Sequence, residues 1–234
     1  MIRKLFQSLV VMGLVVSAST ASADTIIKFD LGSTGPDVQY VGGVFSTIAD
    51  PNGLPGQQTT GVNFTGFLEG VLANIITGAS FTIDSVMASG PASLVGPVIV
   101  QGTTGGTFSL WDDSNTLLLT GTLGTGAITG ATGVDTGSVF STEVFSFTGG
   151  SLLSLVNGTP AGISFALTNI LSGGLSGMYT GLDTSGQSLF LLDFTADSSG
   201  QITGSPIPEP STMLLIGSAL VGGLVRRRKI AANV

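Results

Sequence analysis

Residues 107–123 read TFSLWDDSNTLLLTGTL, and this stretch decides the fold class. Phe108 and Leu110 alternate with Thr107 and Ser109, the period of two expected where successive side chains point to opposite faces of a strand. A second apolar run follows at residues 117–123. Between the two lies Asp112-Asp113-Ser114-Asn115, whose short polar side chains bond their own backbone and tolerate tight turns. Two strands joined by a hairpin loop are predicted.

The same grammar extends in both directions. In residues 162–170, Ile163, Phe165 and Leu167 fall on one face, and Ser164, Ala166 and Thr168 on the other. Phe81 and Ile83 alternate with Thr82 and Asp84. Further strands are predicted at residues 25–29, 38–45, 62–68, 98–101, 117–123, 139–148 and 189–195, with a short helix as the alternative over 66–76. Gly, Ser and Thr punctuate these runs too often for helices, and no long helical crossover is visible. The expected fold is all-β, a single antiparallel sandwich of jelly-roll type occupying residues 24–196. The Gly/Thr-rich stretch 120–137 is read as loop and edge strand; it has neither the fixed period nor the GGxGxD signature of a calcium-binding solenoid. Residues 50–61 read as a loop, and 197–207 as a flexible spacer.

Composition removes whole classes of chemistry. The 234 residues contain no His and no Cys, which excludes a His-based triad, a thiol nucleophile, an ordinary zinc site and a disulfide framework. Within residues 24–206 Lys28 is the only basic residue against thirteen Asp or Glu, a net charge of −12. Such a surface repels nucleic acid, because binding there depends on Lys and Arg neutralising phosphates. No pattern asks for a cofactor.

Carboxylates are the remaining acid–base groups. Asp112 and Asp113, in the hairpin loop, are weak candidates for calcium, which binds through oxygens alone; Asp183 with Ser185 and Asp197 with Ser199 offer similar oxygens. Each pair reads more simply as a turn in which the carboxylate accepts local backbone N–H groups. Glu143 and Glu69 sit in apolar surroundings where a glycosidase carboxyl would be placed. The aromatic supply for sugar stacking is small: Trp111, Tyr40 and Tyr179 are the only Trp and Tyr residues, and Phe is assigned to the core.

The two ends read as addresses. Residues 1–23 form a secretory signal peptide, with Arg3 and Lys4, a short apolar core, and the small residues Ala21 and Ala23 at the cleavage positions for signal peptidase. Near the other end, an apolar segment over 211–225 is closed by Arg226, Arg227, Arg228 and Lys229. It is predicted as a short transmembrane helix with its basic tail on the cytoplasmic side. Pro208 and Pro210 stop that helix from extending backwards.

The order Pro208-Glu209-Pro210, apolar stretch, basic cluster resembles the PEP-CTERM sorting signal, over residues 208–234. Ile207 stands where Val is commoner, and five residues follow the basic run. The resemblance implies a Gram-negative source that makes exopolysaccharide, recognition at Pro208, Glu209 and Pro210 by an exosortase, and a cytoplasmic stop at the four basic residues. It also implies a transiently membrane-anchored stage, then placement at the cell surface or in the extracellular matrix. The expected function is that of a non-enzymatic surface or biofilm-matrix protein associated with exopolysaccharide. A glycan-, calcium- or ice-binding surface module is the alternative, and a carboxylate-only glycan-processing enzyme the third reading.

Overall fold

The computed structural model describes residues 24–31, 35–49, 58–64, 76–156 and 161–204. In chain order the strands are β1 (Asp24–Leu31), β2 (Val38–Val41), β3 (Val44–Thr47), β4 (Gln58–Phe64), β5 (Ile76–Asp84), β6 (Val86–Ala88), β7 (Ser93–Val95), β8 (Val98–Thr104), β9 (Thr107–Trp111), β10 (Leu117–Ala131) and β11 (Ser138–Gly149). After a single helical turn, α1 (Leu153–Val156), come β12 (Ala161–Ser172), β13 (Leu175–Ser176), β14 (Thr180–Leu182), β15 (Leu189–Leu191) and β16 (Phe194–Gly204).

The pairings resolve these pieces into eight antiparallel paths. Strands β1 and β2 form the first path, β3 and β4 the second, β5 and β6 the third, β8 and β9 the fourth; β10, β11, β12 and β16 are the other four. Each path pairs with the one before it in the chain. The last, β16, pairs with β12 on one side and with β1 and β2 on the other, which closes the ring. The expected jelly-roll sandwich is therefore corrected to an up-and-down barrel. Closure removes the unpaired edges that two separate sheets would leave, and alternation along a strand is the same in either architecture. Strand β7 extends the wall beside β8, and β13 beside β12, while β14 and β15 form a separate hairpin.

An eight-stranded barrel is just wide enough for side chains to fill. Phenylalanines fill this one. Phe165 on β12 lies 5.4 Å from Phe29, 5.7 Å from Phe81, 5.9 Å from Phe140 and 6.2 Å from Phe45, ring centre to ring centre. Phe29 stacks on Phe81 at 4.6 Å across the intervening β4, and Phe45 on Phe140 at 4.4 Å from the opposite wall, so the rings meet in the middle. Their bulk is matched by an inward position with no side chain: a Cβ on Gly200 would come within 2.3 Å of the Phe29 ring. Ile163, Phe165 and Leu167 are buried while Ala166 and Thr168 are exposed, as the alternation predicts. Phe108 and Leu110 are likewise buried, and the 107–123 hairpin forms with Trp111 opposite Leu117.

Several stretches differ from expectation: residues 58–61, read as loop, begin β4, and 189–195, read as one strand, divide between β15 and β16. Residues 120–131, read as loop and edge strand, belong to β10, the longest strand. Its glycines lie where neighbours approach closely; a Cβ on Gly121 would meet the Phe108 ring at 2.7 Å. Residues 197–204, read as spacer, complete β16, where Ala196, Ser198 and Ile202 face inward. Low hydropathy conceals both, because the aromatic bulk comes from facing strands. Residues 38–45 are a hairpin, turned by Gly42 and Gly43 at positive φ, and not one strand. The predicted signal peptide, residues 65–75, which hold most of the 66–76 alternative helix, and the 211–225 segment lie outside the described residues. Among the described residues no helix is long and apolar enough to cross a membrane.

Candidate functional site

The barrel has two unlike ends. Asp24 and Gly204 are register partners at one end, which also carries the 112–116 loop and the connection between β11 and β12. The β2–β3 turn and the insert of residues 173–193 lie at the other. Asp24, which follows the predicted signal peptide in the chain, and Gly204, which precedes the predicted sorting signal, therefore lie at the same end of the barrel.

The outer face of β10, β11 and β12 holds a shallow groove of about 350 Å³. Ser141 and Ser164 are register partners across it, and Glu143 is the partner of Gly162. Two of the three register shifts between β10 and β11 lie beside this groove. Leu123 pairs with Val144 and Gly126 with Thr142, three steps on β10 against two on β11. Thr122 pairs with Ser146, so between there and Leu123 the extra residue falls on β11 instead, at Phe145. Bulges re-aim side chains, and the one on β11 returns Phe147 to the core. Phe145, outward by the ordinary alternation of β11, is 78% exposed.

Glu143 secures the β10 bulge. Its Oε1 accepts hydrogen bonds from Thr125 N and Thr125 Oγ1, both at 3.0 Å. A Cβ on Gly124 would lie 2.4 Å from that oxygen, so glycine leaves room for the carboxylate over the backbone. The backbone and side-chain hydrogen bonds from Thr125 hold the Glu143 carboxyl below its ordinary pKa of 4.5.

The other predicted site residues are dispersed. Asp112 Oδ1 accepts from Ser114 N at 2.9 Å and Thr116 N at 2.8 Å, an Asx turn across the hairpin loop. Asp113 Oδ1 accepts only a long 3.4 Å bond from Ser114 Oγ. Asp183 accepts from Ser185 Oγ at 2.7 Å and Gln187 N at 3.0 Å; the Ser185 hydroxyl is the main cause lowering its pKa to about 2. Asp197 lies within β16 and accepts from Asn169 Nδ2 at 2.6 Å. Among the described residues no three Asp or Glu converge as metal ligands would. Tyr40 is buried and stacks on Phe194 at 5.7 Å; the Tyr179 hydroxyl donates to Ser176 O at 3.0 Å.

Assigning phenylalanine to the core missed Phe145. The inward set Phe140, Thr142 and Val144 places residue 145 outside, but the return of Phe147 to the core hides the bulge in a Val-Phe-Ser-Phe run. Glu69, Pro208, Glu209, Pro210, the four basic residues 226–229, Ala21 and Ala23 lie outside the described residues.

Residues 206–229 match the PEP-CTERM protein-sorting motif family. No curated protein and no solved structure matches the chain. The resemblance seen in Pro208-Glu209-Pro210 and the basic cluster is borne out. Two residues beyond the last barrel strand, the chain carries a PEP-CTERM protein-sorting motif, which implies an exported protein, anchored in the membrane until an exosortase processes it.

Proposed function

We propose that the barrel is a non-enzymatic cell-surface or extracellular-matrix protein that associates with exopolysaccharide after its tail is processed. The observation that carries this reading is the junction of barrel and motif. Strand β16 closes the ring at Gly204, and the matched region begins at residue 206. Processing near residues 208–210 would release a barrel whose strands all precede the cut.

The chemistry available supports a passive role. The chain lacks His and Cys, and the barrel interior is packed with phenylalanine. A glycosidase acid must hold its proton near neutral pH, which takes a raised pKa. Glu143 is shifted the other way, with one oxygen already committed to Thr125.

The test is the intact mass of the protein in fractions of its native host. A surface or matrix species beginning at Asp24 and ending within residues 208–210 is expected. A species confined to the membrane and retaining residues 226–234 would overturn matrix placement. Release of new reducing ends from the host polysaccharide, abolished by Glu143→Gln, would overturn the non-enzymatic role.

A further inference from the structure

We propose that the outer groove lined by Ser141, Glu143, Gly162 and Ser164 is a binding site for a neutral polysaccharide chain, with Ser141 and Ser164 as hydrogen-bonding partners and Phe145, two residues beyond Glu143 on the same face of β11 and outside the groove's own lining, as a flanking stacking platform. This rests on the surface-protein reading above and gives its association a place on the molecule.

Four observations converge. Phe145 is the most exposed large apolar side chain among the described residues, at 78%, placed outward by the alternation of β11, in which Phe140, Thr142 and Val144 face inward. A bare aromatic face beside a polar groove suits a sugar ring, whose C–H face is apolar and whose rim carries hydroxyls. Glu143, two residues away on the same face, is held in place by Thr125 through Oε1, which leaves Oε2 to accept from a hydroxyl. Ser141 and Ser164 stand side by side across the β11–β12 pair; a hydroxyl both donates and accepts, as a sugar hydroxyl does. The groove, about 350 Å³, lies within the range of small-ligand sites, about 300–1,000 Å³.

Charge selects the class of polymer. Residues 24–206 carry thirteen acidic side chains against one basic, and Glu143 lies in the groove. An acidic polysaccharide would be repelled, whereas a neutral chain has no such penalty.

Gly162 gives a clean way to close the site. It lies in an extended strand beside Glu143, and a Cβ there would meet Thr142 O and Thr203 Oγ1 at 3.4 Å, ordinary contact. Gly162→Val therefore narrows the groove at a position whose Cβ is accommodated, and its melting temperature checks that the strand holds. Phe145→Ala removes a largely exposed side chain. Leu182→Ala, on the β14–β15 hairpin where Leu182 is 60% exposed, controls for loss of any exposed apolar group.

The experiment is affinity electrophoresis of the full-length chain in mild detergent. The gels contain dextran, a soluble β-1,3-glucan or xyloglucan, with acidic alginate as the contrast. The expected result is retardation by at least one neutral polymer and none by alginate. Phe145→Ala and Gly162→Val should each weaken it about tenfold, the loss of an anchoring contact, with melting temperature unchanged and Leu182→Ala neutral. Retardation equal in wild type, Phe145→Ala and Gly162→Val would place binding elsewhere and leave the surface-protein reading standing. Equal weakening by Leu182→Ala, or preference for alginate, would overturn the site and its selectivity. Absence of retardation by every neutral polymer would remove both the groove and the polysaccharide association, while export and exosortase processing would stand.

Discussion

Strands β10, β11, β12 and β16 each run through the barrel wall in one piece, whereas the four paths that complete the ring are each broken part-way. Residues 32–37 separate β1 from β2, residues 48–57 separate β3 from β4, Ser85 separates β5 from β6, and Gly105-Gly106 separate β8 from β9. The two walls handle irregularity by different means. In the broken wall a side chain stands in for missing ladder bonds: Thr47 Oγ1 accepts from Ile83 N at 3.2 Å and donates to Ile83 O at 3.3 Å. Asp37, also buried, accepts from Ser198 N at 2.7 Å where the first path meets β16. In the continuous wall the irregularities are bulges, one fastened by Glu143, and the ladder resumes on either side. The breaks keep their backbone groups paired, by the Thr47 hydroxyl and the Asp37 carboxylate at two of them and by backbone bonds such as Gly105 N to Gly124 O and Leu123 N to Gly106 O at another, because an unpaired buried N–H costs about 1–3 kcal/mol.

This contrast can be broken most forcefully at the aromatic centre, where both walls meet. Phe165→Ala removes the ring that touches Phe29, Phe45, Phe81 and Phe140, and should cost about 3–5 kcal/mol in denaturant unfolding. A loss below about 1 kcal/mol would mean that the two walls do not share one core.

Next in size is Thr47→Val, which keeps the shape and deletes the hydroxyl that bridges the break beside Ile83. A loss of about 1–3 kcal/mol is expected, with faster amide exchange confined to β3 and β5. A neutral outcome would show that the broken wall does not need its side-chain bridges. Gly106→Ala follows, at about 2 kcal/mol: φ there is +98°, and a Cβ would lie 2.6 Å from Val86 Cγ2 and 2.8 Å from Asp84 O. Opposite that site Ser85 holds φ of 59°, a left-handed conformation that disfavours a side chain. Ser85→Gly should therefore stabilise the fold slightly, by about 0.5 kcal/mol, after the extra backbone entropy of glycine is deducted.

The smallest effects are electrostatic. Glu143 has a lower pKa in the fold than its ordinary 4.5, so its bond to Thr125 contributes above that value and is lost as pH falls through the folded value. The Thr125 amide resonance should titrate with a midpoint below 4.5, and Glu143→Gln should abolish the titration. Asp183 has the same sign over a window from 3.8 down to about 2, so acid should loosen the Ser185 and Gln187 contacts of the outer hairpin before it disturbs the barrel.

Much of this was legible in the residues. Strict alternation at 163–167 and 107–110 predicts which side chains are buried, because a strand has only two faces. The 112–115 turn was readable because Asp112 needs only local N–H groups to satisfy it. The extension of β10 beyond residue 123 was not, since glycine and threonine lower its local apolar content while the packing that holds it comes from residues elsewhere in the chain such as Phe140. Of the candidate groove, Glu143 was singled out and Ser164 was placed on the outer face, but Ser141 and the flanking Phe145 were not named. The meeting of Ser141 with Ser164 depends on the β11–β12 register, and that of Glu143 with Thr125 on the bulge in β10, neither of which a single strand records.

By itself, then, the sequence determined the all-β class, the inward and outward faces of the regular strands, the absence of imidazole and thiol chemistry, and the sorting motif that directs the chain outward. These are local properties, set by a period of two, by residue type, or by a linear signal. Only the tertiary structure decided that the wall closes on itself and that phenylalanines from facing strands fill the interior. It also decided that a bulge in β10 brings Thr125 onto the Glu143 carboxylate on the outer face. Closure and register are pairings between distant segments, and alternation is satisfied equally well by a sandwich or a barrel until the last strand finds the first.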